Sequence, residues 1–126
     1  MLARPGRGLG DTMDADAGIE MWRKVMVNEP PAALTGFTAV TRDHVFGEIW
    51  SRPGLTTRDR RLISLTCTSL APGPALAIHV EAALKSGDLD VDAVEEWIIH
   101  LAHYAGWPVA ANAYVVTREV IARYKQ

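Results

Sequence analysis

Between residues 91 and 105 the apolar positions fall at Val94, Trp97, Ile98, Leu101 and Ala105. A helix turns about 100° per residue, so this spacing draws a single stripe along one side. On the same wheel Glu96, His100 and His103 stand opposite the stripe, with Tyr104 at its border. Comparable segments recur along the chain, each cut off by Pro or Gly, and no two-residue alternation is sustained long enough to need a sheet. The spacing predicts helices over 14–27, 42–50, 56–70, 74–86, 90–105 and 108–124, separated by "NEPPA", "SRPGL", "APGP", Gly87 and Gly106. Thr56 with Asp59 three positions on reads as a capping-box start, and Asp90 as a cap. Pro74 suits the first turn of its helix and Gly87 the end of it. The expected class is all-α, a compact bundle of about six helices. Residues 1–12 read as a flexible tail, with Met13 an alternative start, and 13–126 as a single helical domain.

Composition narrows the function classes. A chain of 126 residues, 48% hydrophobic and 22% charged, falls within one ordinary globular domain. Thirteen basic against fifteen acidic residues leave a net charge of −2 and no basic field for a polyphosphate backbone, so no nucleic-acid partner is expected. Cys67 is the single cysteine. It cannot close an internal disulfide, which suits a reducing compartment, and the expected location is cytoplasmic. No run approaches the roughly 18–20 apolar residues of a membrane span, so no membrane partner is expected. Six short helices expose much surface, which favours oligomers, and Trp22, Trp50, Trp97 and Trp107 are expected as core or subunit-interface anchors.

Three places hold candidate chemistry. In "ALAIHVEAALKSG" His79 shares its helix face with Ala75, Leu76, Ala82 and Ala83. It is either a core histidine bonded to a carbonyl or an imidazole lining a pocket, where burial would move its pKa. In "RPGLTTRDRRLIS" Arg58, Arg60 and Arg61 occupy the first turns of a helix, with Arg52 upstream, against the helix dipole. They form an anion site, or Asp59 and other acids neutralise them on a solvated face. The face of Glu96, His100 and His103 meets solvent, binds a metal, or lines a cleft in which His100 and Tyr104 touch one ligand.

The segments "FGEIWSRPGL", "RDRRLISLT", "IHVEAALKSG", "IIHLAHYAGWPVAANAY" and "REVI", running from about Phe46 to Ile121, resemble the carboxymuconolactone decarboxylase family. The resemblance implies an all-α fold of the alkylhydroperoxidase D type, assembled as a homotrimer or homohexamer with sites near subunit contacts. It matches His79 and His100 to the family's histidine motifs, and Arg52, Arg58 and Arg60 to its arginine positions. The peroxidase branch carries Cys-x-x-Cys-x-x-x-His, but here Pro72 and Ala75 stand where the cysteines would be. Dithiol peroxidase activity is therefore not expected, and Cys67 is expected to be structural.

The implied reaction is loss of CO2 from 4-carboxymuconolactone, a step of protocatechuate catabolism, to give an enol-lactone. The departing electron pair flows onto the lactone carbonyl, so the substrate supplies its own electron sink and no cofactor is expected. In that scheme Arg52, Arg58 and Arg60 hold the retained carboxylate and His79 donates the proton. His100 and Tyr104 bond the lactone oxygen or orient His79, and Glu48 is a further candidate. The N-terminal "VMVNEPPAALTGFTAVT" does not fit the protocatechuate-pathway enzymes. A different lactone or keto acid, or a non-catalytic oligomer binding a small acid, are the alternatives.

Overall fold

The computed structural model describes residues 15–32 and 35–124. The expected tail of residues 1–12 and the start at Met13 lie outside the described residues. All regular structure among those residues is helical: α1 (Ala15–Met26), α2 (Gly36–Val40), a wide helical segment (Thr41–Ile49), α3 (Thr57–Ser69), α4 (Ala75–Ser86), α5 (Val91–Ala105) and α6 (Trp107–Tyr124). The all-α class stands. The chain divides into two compact units, Met1–Gly54 and Leu55–Gln126.

In the first unit α1 packs against the segment Thr41–Ile49. Val25, Phe46 and Trp50 are buried there, with Met21, Trp22 and Met26 packed against them. The Trp22 and Phe46 ring centroids lie 5.0 Å apart and those of Phe46 and Trp50 6.2 Å. These distances fall within the favourable range for offset and tilted aromatic pairs. Gly18 permits the close approach, because a Cβ there would stand 2.6 Å from the Arg42 carbonyl oxygen. After α1 the chain doubles back on itself: Trp22 Nε1 donates to Asn28 Oδ1 at 2.8 Å and Arg23 Nε to Glu29 Oε2 at 2.7 Å.

The predicted helix 42–50 begins earlier than expected, because α2 precedes it and runs straight into it. Thr35 caps α2 in a reciprocal box with Thr38: each hydroxyl accepts from the other residue's backbone N–H. Thr41–Ile49 is then bonded in the wide i→i+5 register, which closes with Trp50 N–H donating to the Val45 carbonyl at 2.9 Å. Such segments are rare and often mark functional sites.

In the second unit the predicted boundaries hold to within one or two residues. Thr56 Oγ1 accepts from the Asp59 N–H at 3.1 Å and Asp90 Oδ1 from the Ala93 N–H at 2.8 Å, so both expected caps form. Gly87 closes α4 with φ of 79°, a left-handed value at which a side chain would be strained. The α5 stripe is buried as its spacing requires: Val94, Trp97, Ile98 and Leu101 join Leu65, Leu76, Val80, Ala113 and Val120 in one core. α3 packs on α4, α4 on α6 and α5 on α6. Trp97 Nε1 donates to Thr66 Oγ1 at 3.0 Å, satisfying an indole that would otherwise lose its hydrogen bond on burial. Trp50 and Trp97 are core residues, whereas Trp107 is 72% exposed. Among the described residues no helix is long and apolar enough to cross a membrane.

Candidate active site

The second unit carries an open groove of about 690 Å3 between α3 and α5. α3 contributes Arg58, Leu62, Ile63, Thr66 and Cys67; α5 contributes Ala93, Glu96, Trp97 and His100. Residues three and four apart share a helix face, which brings Arg58, Leu62 and Thr66 into one row and Ala93, Trp97 and His100 into the other. The Trp97–Thr66 hydrogen bond ties the two rows together. The groove is therefore apolar along its length, with one guanidinium, one carboxylate and one imidazole among its lining side chains. Apolar walls with few polar groups are the usual make-up of a small-molecule site.

The face of Glu96, His100 and His103 does not act as one unit. Glu96 and His100 line the groove. The His100 ring stacks on Tyr104 with centroids 5.0 Å apart and planes 16° from parallel, and Tyr104 itself is 84% exposed. His103 instead turns to its own helix, its Nδ1 lying 2.8 Å from the Ile99 carbonyl oxygen. Among the described residues no group of three or more His, Cys, Asp or Glu side chains could hold a metal ion.

His79 stands elsewhere in the same unit. It is half-buried on α4 and is not among the residues lining the groove. Its pKa lies below the ordinary imidazole value, first because burial penalises the charged ring and second because the Arg61 guanidinium repels the extra proton. Arg61 is only 2% exposed, and its Nε donates to Asp88 Oδ2 at 2.7 Å. Of the arginines expected to bind an anion, Arg58 borders the groove, Arg60 is half-buried on α3, and Arg52 is exposed in the first unit. Glu48, also in the first unit, lies with Oε2 3.6 Å from His44 Nδ1.

Sequence reasoning misjudged several of these residues. In sequence Arg61 groups with Arg58 and Arg60 as an anion-site candidate, but it is buried and paired to Asp88. Cys67 was expected to be structural; it is exposed on the groove wall, on the opposite face of α3 from Leu65. Thr66 gives no signal on its own, since only the partner Trp97 gives its hydroxyl a role.

A helical chain with a groove, a half-buried histidine and a buried arginine paired to an aspartate has relatives among known proteins. Residues 35–119 match the carboxymuconolactone decarboxylase family, and the chain belongs to that family. A nitrosuccinic acid decarboxylase of Metarhizium robertsii is 29% identical over 108 residues, covering 82% of this chain and 72% of that protein. A 4-carboxymuconolactone decarboxylase of Acinetobacter baylyi is 34% identical over 76 residues, covering 60% of this chain and 56% of that protein. No solved structure matches the chain.

Proposed function

We propose that this chain is a decarboxylase that takes a small organic acid carrying its own electron sink and needs no cofactor to stabilise the carbanion. The observation that carries the reading is His79, half-buried on α4, whose charged form is disfavoured by burial and by the charge of the buried Arg61. Perturbed titratable groups of this kind concentrate at functional sites. In 4-carboxymuconolactone the sink is the conjugated lactone carbonyl, and in nitrosuccinic acid it is the nitro group on the carbon that bears a carboxyl. In both, the bond from that carbon to the carboxyl breaks, CO2 leaves, the electron pair moves into the sink, and a proton is then added to carbon.

The protein's tasks are to hold the retained carboxylate, stabilise charge on the sink, and deliver the proton. Arg58, with Arg60 on the same helix, holds the retained carboxylate. Holding the departing one would stabilise the ground state at the expense of the rate. His100, stacked on Tyr104 at the groove, binds the sink. His79 donates the proton, a role that requires the working site to extend past the groove lining to α4. A lowered pKa makes its imidazolium the stronger acid but leaves less of it loaded at neutral pH. Turnover through this step should therefore decline as pH rises above the His79 pKa.

The test is incubation of the purified protein with 4-carboxymuconolactone and, separately, with nitrosuccinate, following CO2 and product by NMR in D2O. Release of CO2 with one deuterium on the product carbon is the expected result. Binding of both acids without CO2 from either would leave a helical small-acid-binding protein, the alternative that the open groove also suits. Turnover of nitrosuccinate alone would favour the relative that covers more of this chain. It would also agree with the N-terminal segment, which does not fit the lactone enzymes.

A further inference from the structure

Glu96 is a charged side chain of the groove to which no step above gives a task. Ala93 three positions before it and His100 four positions after it share its helix face, so the spacing of α5 sets all three along the groove. Among the described residues neither Glu96 nor Arg58 forms an ion pair or a side-chain hydrogen bond. The groove is therefore lined by one guanidinium and one carboxylate that do not neutralise each other. An acid drawn in by the first is held in the same groove as the second.

Both acids considered above carry two carboxylates, and one of the two is lost in the reaction. With the retained carboxylate at Arg58, the departing one shares the groove with the Glu96 carboxylate, where like signs repel. Decarboxylation relieves that repulsion. The bond from carbon to the carboxyl breaks, its electron pair passes into the sink, neutral CO2 leaves, and a proton is added to carbon. The charge has then moved to the sink, which His100 binds one helical turn further along α5.

We propose that Glu96 is the charge-discriminating residue of the groove: it stands against the departing carboxylate, so a dicarboxylate is held less tightly before its charge moves than after. The proposal rests on the decarboxylase reading of this site. A repulsion that fades between the ground state and the transition state raises kcat, whereas one that persists only weakens binding. Glu96 and Arg58 are both exposed, so water screens the effect and keeps it modest. Two unit charges about 4 Å apart in water change an equilibrium about fivefold. Glu95 supplies the comparison, being an exposed carboxylate on the same helix that is not among the residues lining the groove.

The test compares succinate, a non-reacting dicarboxylate, with butanoate, which has the same chain length and one carboxylate. Both are titrated into labelled protein at low ionic strength and followed by NMR. Glu96→Gln and Glu96→Ala should each bind succinate about fivefold more tightly than the parent and bind butanoate as the parent does. Glu95→Gln should bind both acids as the parent does. No gain, an equal gain for the two acids, or the same gain in Glu95→Gln overturns the proposal. A gain in Glu96→Gln that Glu96→Ala lacks comes from a new amide hydrogen bond and overturns it too, as does a parent that binds neither acid. With whichever acid is turned over, Glu96→Gln should lower KM and kcat together, the signature of relieved ground-state strain. A fall in KM with kcat unchanged overturns the part played in turnover. If the parent releases CO2 from neither acid, the decarboxylase reading has failed, and the succinate and butanoate affinities still decide whether Glu96 discriminates charge.

Discussion

His79 and His100 belong to the same helical unit and occupy opposite environments. His100 is exposed, lines an open groove with Arg58, and stacks on a tyrosine. His79 is half-buried, outside the groove lining, and under the influence of a buried arginine. The first environment suits a group that meets a ligand and the second a group whose proton the protein controls. Exposure and electrostatic control trade against each other, because water that admits a substrate also screens the charges that would tune the ring. A site that needs both functions gains by dividing them between two residues.

Kinetics can break this comparison. His79→Ala should lower kcat by about 10²–10⁴, the usual contribution of a positioned acid or base, with the helical CD spectrum unchanged. Steady-state assay of the variant beside the parent measures it. A loss of less than threefold removes His79 from the proton step. His100→Ala with the larger fall in kcat would exchange the two roles.

The groove predicts a smaller and different effect. Arg58→Ala should raise KM at least about tenfold, the low end of the roughly 1.5–3 kcal/mol of a hydrogen bond to a charged group because Arg58 is exposed, with kcat little altered. Isothermal titration with succinate, a non-reacting dicarboxylate, reads the same loss without chemistry. Equal affinity in parent and variant would take Arg58 out of the anion site. That would leave the groove with apolar walls but no measured cation.

Much of this molecule was legible in its sequence, and the reasons differ by region. In the second unit Pro74, Gly87, Gly106 and the capping residues Thr56 and Asp90 fix the helix ends locally, so boundaries followed from chemistry confined to a few neighbouring residues. α2 was missed because its box uses Thr38 where the familiar signature has Glu or Gln. The wide register of Thr41–Ile49 leaves no trace in residue spacing: Val45, Phe46 and Ile49 fit an ordinary helix equally well. The need for glycine at position 18 is likewise invisible, because its cause is the Arg42 carbonyl on a different helix. For the site, a histidine among alanines on "ALAIHVEAALKSG" could be flagged but not interpreted. Its pKa depends first on burial and then on the charge of Arg61 from another helix, neither of which shows in sequence proximity.

The same contrast carries a weaker signature in stability. The folded-state pKa of His79 lies below its unfolded value of about 6.5, because burial and Arg61 both disfavour the charged ring. Above about pH 6.5 the ring is neutral in the folded and unfolded states alike, and its contribution is fully present. As pH falls from there through the folded pKa, the unfolded chain binds a proton that the native state resists, and stability is lost. The parent's melting temperature should therefore drop more steeply between pH 7 and pH 5 than that of His79→Gln, whose side chain cannot take the proton. Differential scanning calorimetry at matched ionic strength reads the two slopes. Parallel slopes would mean that the ring is protonated as easily in the fold as in water. The half-buried histidine would then be no different from an exposed one, and the division of roles between His79 and His100 would have no electrostatic basis.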